Sequence, residues 1–217
     1  MAKIKKLTRE QIVHVAMEMF DNEGDAGFSM RKLAGKLGVD PMAIYHHHAN
    51  RNALISEVVQ AYLSQRRIPT RSGDWRVDIR ELCQSLRGLA KSHPNIFRLY
   101  QAHDTWMPEE SRISEAFHTI LLDAGFESQT VVRGVRLLSN YTESFAVDEL
   151  AGWYKPLDDS DRAQLAQTVS ADTHPAMTRL MDDIGTADAE ADFAFGLDVI
   201  VRGLEASCQS ASNLDPL

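Results

Sequence analysis

Three consecutive histidines, His46-His47-His48, are the residues of this 217-residue chain that first invite a chemical reading. Imidazoles ligate zinc, but successive helical positions point about 100° apart, so a single ion cannot take all three. Glu115-x-x-His118 has the spacing of half a di-iron centre, which needs two such pairs and two further Glu from facing helices. Cys83 and Cys208 are too few for a disulfide framework or a structural zinc site, and both are expected as buried thiols of a reducing cytoplasm. No Gly-rich phosphate loop, Gly-x-Ser-x-Gly elbow or His-Glu-x-x-His helix is present. These residues predict no enzyme, no catalytic group, no metal and no cofactor.

Residues 29–47 carry a different chemistry. Pro41, Met42, Ala43, Tyr45, His46 and His47 are small, planar or polar groups of the kind that suit the floor of a DNA major groove. The elements needed to present them are written around them. Ser29 caps a short helix through Leu37, and Gly38 ends it. Asp40 and Pro41 then open another helix as N-cap and first residue. With Val39 plugging the turn and Leu33, Leu37 and Ile44 forming the inner seam, the pattern is a helix-turn-helix. The formal net charge of −8 argues against nucleic acid until it is divided. Residues 1–51 carry +2 and the remainder −10, with Lys3, Lys5, Lys6 and Arg9 at the head and six acids, unrelieved by Lys or Arg, over 182–198. A basic head is attracted to phosphate while an acidic body is repelled from it.

The rest of the chain is helical in pattern, and alternating strand signals are nearly absent. A first helix starts at Thr8 and stops at Asn22-Glu23-Gly24, and a fourth runs from Asn50 to about Arg67. Further helices are predicted over 75–91, 94–104 and 108–124, from a Ser128 cap to Leu150, over 161–169, from Pro175, and from Asp188 to Ser207, about ten in all. At 44% hydrophobic and 25% charged, the composition excludes fibrous and largely disordered classes. No run approaches the roughly 18 apolar residues of a membrane span, and the basic N-terminus lacks the apolar stretch of a signal peptide, so a cytoplasmic location is expected. The competing readings are a metal-binding helical bundle or enzyme, which has only one of its two required pairs, and a helical module that binds only protein, which has no use for the basic arm.

The run Ser29-x3-Leu33-Ala34-x2-Leu37-Gly38-Val39-Asp40-x2-Ala43-Ile44-Tyr45-x-His47-His48-x2-Arg51-x2-Leu54-Ile55 resembles the DNA-binding domain of the tetracycline-repressor (TetR) family. It departs at His48, usually Phe in the family, and at Arg51, usually Lys. The resemblance implies an all-α fold with a three-helix DNA-binding head (1–50), a connecting helix (51–68) and a larger helical ligand-binding and dimerisation domain (69–217). It implies a repressor that binds a palindromic operator as a homodimer and is released by a small effector. Lys5, Lys6, Arg31 and Arg51 are expected on phosphates, with Arg31 also near a base. Tyr45 and His47 are expected on the backbone, and Pro41, Met42, Ala43 and His46 on bases. Ser29, opening the motif, is placed with them. The apolar faces of the Ser128–Leu150 helix and of the last helix, Leu197 and Leu204 included, are expected to pair two copies.

Phe195-Gly196-Leu197-Asp198-Val199-Ile200-Val201-Arg202-Gly203-Leu204-Glu205 is similar to the last helix of the tetracycline-repressor branch. By alignment to that branch, its drug-binding positions fall near Arg67, Leu82, Leu86, Tyr100 and His103. A His and an Asn that grip the drug are here Arg67 and Leu82, and the magnesium-contacting His is Tyr100, which implies a ligand other than tetracycline–magnesium. Phe97, Trp106, Phe117, Tyr141 and Phe145, with Asn140, complete a set expected to line an apolar cavity with a few polar anchors.

Overall fold

The computed structural model describes residues 7–102 and 108–212, with side chains described to Ser207, and every regular element in that range is a helix. The chain forms two compact units, residues 1–124 and 125–217. The first holds α1 (Arg9–Gly27), α2 (Met30–Leu37), α3 (Pro41–Tyr45), α4 (Arg51–Ser64), α5 (Trp75–Ser92), α6 (Pro94–Gln101) and α7 (Pro108–Asp123). The second holds α8 (Ser128–Ala151), α9 (Asp159–Thr168), α10 (Pro175–Arg179), α11 (Met181–Ile184) and α12 (Ala189–Ser212).

Local capping sets the first four helices. Thr8 and Gln11 form a reciprocal capping box, each side chain bonded to the other's backbone amide at 3.2 Å. Ser29, Asp40 and Asn50 accept from the amides of Lys32, Met42 and Ala53 at 3.2, 2.8 and 2.9 Å. The stop expected at Gly24 is a break instead: its backbone turns to φ +65°, and one further turn carries α1 to Gly27. Gly38, at φ +68°, closes α2 in the left-handed region that a residue with a Cβ enters at a cost. Phe20 stacks on Phe28 at 4.1 Å, and with Ile12, Met19, Leu33, Ile44 and Leu54 it fills a core closed to solvent.

The fourth helix ends at Ser64, three residues before the expected Arg67. Tertiary bonds take over there: the Arg66 carbonyl accepts from Arg112 at 2.9 Å and the Arg67 carbonyl from Ser85 at 2.9 Å. Asp78, only 2% exposed, pins the following loop by accepting from the Ser72 amide at 2.7 Å and from Arg71 at 2.8 Å. Burial alone would push its carboxyl up. The bonds from Ser72 and Arg71 outweigh that and hold it below the ordinary range. The unfolded chain therefore takes the proton first, and the stabilisation, full above about pH 4, is lost as pH falls toward the lowered value. Asp78→Asn should cost about 2 kcal/mol at neutral pH and flatten the acid limb of a thermal-unfolding series. An unchanged acid limb would remove Asp78 from that role.

In the second unit, α8 and α12 pack along one another. Ser128 does not cap α8, because the N-cap is Glu127 and it makes no side-chain bond. Tyr141 stacks on Phe193 at 5.4 Å and donates its hydroxyl to the Phe193 carbonyl at 2.9 Å. Gly196 permits this approach, since a Cβ there would collide with the Tyr141 hydroxyl. Leu197 and Leu204, expected between two copies, are buried inside the unit with Phe193 and Val201, while Ile200 is half-buried. The apolar side chains that α12 leaves outside are Phe195, 73% exposed, and Val199, 54% exposed. Arg162 bridges α9 to the turn after α11 through the Gly185 carbonyl at 2.9 Å.

Candidate nucleic-acid interface and effector site

Ile44 and His48, four residues apart, are both fully buried and fix how α3 and its C-terminal turn are presented. His48 occupies the inward position as a polar plug. Its Nε2 bonds to Glu57 at 3.0 Å, and its Nδ1 is buried with no hydrogen-bond partner. Glu57 also pairs with Arg9. Burial raises the Glu57 pKa, but the bonds from Arg9 and His48 prevail and keep it below its ordinary value. With 44 and 48 turned inward, Met42 is 61% exposed, Tyr45 and His46 are exposed, and Pro41, Ala43 and His47 are half-buried. The three histidines thus point to different surroundings.

The basic residues sort by what they already hold. Arg31, on the first turn of α2, is exposed and has no ion-pair partner among the described residues. Lys32 and Lys36 of the same helix are paired with Glu23, at 3.2 and 3.4 Å. Arg51 is paired with Asp25 and lies 5.6 Å over the Phe28 ring, so part of its charge is spent inside the head. Ser29 serves as the cap of α2. Lys5 and Lys6 lie outside the described residues, as do His103 and Trp106.

The candidate effector residues fall into separate groups. Leu82 and Leu86 of α5 and Phe117 of α7 are buried in the first unit, where α5 packs on both α6 and α7. Tyr100 of α6 lies 6.2 Å from Phe97 and 6.4 Å from Tyr62 of α4. Arg67 is exposed, whereas its neighbour Arg66 is 6% exposed with its guanidinium 4.8 Å over the Tyr100 ring. Both lie past the end of α4, which stops at Ser64. In the second unit, Tyr141 is engaged with Phe193, and Asn140 is exposed on the face of α8 away from its buried stripe. A separate open groove of about 540 Å³ runs between α1 and α4, lined by Val13, Met17, Glu57 and Gln60 among others. Glu115 and His118 do not converge: His118 donates to the Ser114 carbonyl at 2.7 Å, and Glu115 accepts from Thr119.

Sequence reasoning missed the link between the head and α6. His93 donates to Asp21 of α1 at 2.8 Å, and Asn95 donates to the Asp21 carbonyl at 3.0 Å. The only sequence signal was Pro94, which starts α6 and places both residues at its first turn.

A capped helix-turn-helix that turns a five-residue helix outward, carried on a helical body, defines a DNA-binding transcriptional regulator. Residues 12–58 match the family model described as bacterial regulatory proteins, tetR family, and residues 69–208 match that of the tetracyclin repressor-like C-terminal domain. The chain belongs to the TetR family. It is 28% identical over 203 residues to the tetracycline repressor protein class A from transposon 1721 of Escherichia coli, covering 92% of this chain and 91% of the relative. It superposes on apo ActR from Streptomyces coelicolor with a TM-score of 0.82 at 26% identity, covering 96% of this chain and 100% of that one. ActR in complex with actinorhodin gives 0.81 at 26% identity, covering 94% and 99%. The protein is accordingly a ligand-responsive, DNA-binding transcriptional repressor.

Proposed function

We propose that this repressor acts in the cytoplasm, binding a palindromic operator as a homodimer and leaving it when a small apolar or aromatic effector binds. Its functional division is a reading head over 1–50, a connecting helix over 51–68 and a ligand and dimer region over 69–217. The observation that carries the reading is the inward anchoring of Ile44 and His48, which presents Pro41, Met42, Ala43 and His46 for base edges and Tyr45 and His47 for the backbone. Arg31, Arg51, Lys5 and Lys6 meet phosphates, and Ser29 sets the start of α2 beside them. One five-residue helix offers few base contacts, so two copies are needed for specificity. We assign no reaction and no metal.

Two routes connect an effector region among Leu82, Leu86, Tyr100 and Phe117 to the head. One is α4, which packs against α1, α6 and α7. The other is α6, where Tyr62 meets His93 edge-on at 6.0 Å and His93 holds Asp21 of α1. A tilt of either helix changes the separation of the two heads, which must match successive major grooves about 34–36 Å apart. The structural likeness to ActR in complex with actinorhodin supports effector control. Sequencing the DNA retained from the source genome should yield a palindrome. Titrating a panel of aromatic compounds with and without that DNA should then show about a 5–150-fold reciprocal weakening. A half-site bound by a monomer, or equal compound affinity in both states, would overturn the reading.

A further inference from the structure

A guanidinium buried without a counter-charge is costly to keep, and among the described residues Arg66 has none. It is 6% exposed, its Nε has no hydrogen-bond partner, and no carboxylate of the described residues lies within ion-pair distance. Its contact is with a π face, Tyr100 at 4.8 Å, which favours a cation but supplies none of the in-plane acceptors that a guanidinium fork seeks. The neighbouring cation does not share the duty: Arg112 is bonded to the Arg66 carbonyl at 2.9 Å and to Glu109 at 2.6 Å. Tyr100 in turn lies, centroid to centroid, 6.4 Å from Tyr62 of α4 and 6.2 Å from Phe97 of α6.

We propose that Arg66 is the anion anchor of the effector site, and that the effector is an aromatic molecule bearing a carboxylate. This rests on the effector reading above and deepens it. The missing acceptors are supplied by a planar carboxylate, which meets the guanidinium fork with two parallel bonds while the attached ring lies beside Tyr100. A single uncommitted guanidinium matches a monoanion; a phosphate dianion would leave charge unpaired. The exposed Arg67 takes no part.

The test uses the full-length protein, with naphthalene-2-carboxylate and its uncharged carboxamide as matched probes in calorimetric titrations. Wild type should bind the carboxylate about ten- to a hundredfold more tightly than the amide. Arg66→Met should lose that preference, Arg66→Lys should keep part of it, and Arg67→Gln should keep all of it. Without ligand, Arg66→Met should melt at or above the wild-type temperature, because an unpaired buried charge has been removed. Equal affinity for the two probes in wild type, no binding of the carboxylate, a preference surviving Arg66→Met, or a loss of folding in that variant would each overturn the proposal. Operator release is measured separately. Carboxylate binding through Arg66 that leaves DNA affinity unchanged supports the anion site and instead removes the effector role given to this region.

Discussion

Phe195→Glu should give a folded monomer that has lost its operator, whereas Leu197→Glu should unfold the second unit. The two residues are two positions apart on α12 and point to opposite sides. Leu197 is 2% exposed against α8, while Phe195 and Val199, one turn apart, are the large apolar groups the helix leaves in solvent. Gly203 has open space around its Cβ position on that same side, so a second helix can approach closely. A charge at Leu197 is buried without a partner and costs several kcal/mol of folding stability. A charge at Phe195 leaves the unit's own core intact but sets like charges against each other when two copies meet. Losing the dimer removes half the base contacts, and operator affinity should fall by about 10³ or more, toward the non-specific level. Light scattering, circular dichroism and gel shift separate the cases. A Phe195→Glu protein that stays dimeric with wild-type affinity would place the pairing surface elsewhere.

Arg31→Ala should lower the slope of log affinity against log salt by about 1.8, taking ~0.9 per phosphate and two subunits, and weaken binding roughly 60-fold near 0.1 M salt. Its melting temperature should not change, because Arg31 is exposed and forms no ion pair among the described residues. Arg51→Ala should behave differently. That guanidinium is already committed to Asp25 and the Phe28 face, so its removal costs stability of the head as well as any phosphate contact. A full slope change with no loss of melting temperature at Arg51 would show that its internal pairing carries no weight. An unchanged slope at Arg31 would take that residue off the phosphate path. By contrast, substitutions at Met42 should change which bases are preferred and leave the slope nearly intact.

The head was legible because its instructions are local. Ser29, Gly38, Asp40 and Pro41 each act on backbone within three residues, and of the seam expected from helical spacing Leu33 and Ile44 are fully buried and Leu37 half-buried. The resemblance marked His48 as standing where the family usually has Phe, but its bond to Glu57 was not readable. The effector side was harder. Its residues come from four helices, and their facing depends on where each helix stops. Beyond the end of α4 at Ser64 the chain leaves Arg67 exposed and Arg66 buried.

By itself the sequence determined the all-α class, the helix-turn-helix and the family. Periodicity, caps and turn glycines act over a few residues and need no knowledge of distant partners. Only the tertiary structure decided which side of an amphipathic helix faces its own unit. α12 carries apolar residues on both sides, and packing of Tyr141 over Gly196 selected the side of Leu197 for the interior. Only the tertiary structure joined Asp21 to His93, 72 positions apart, and left Arg66 buried with no counter-ion among the described residues. Such pairings depend on non-local packing, to which side-chain periodicity is blind.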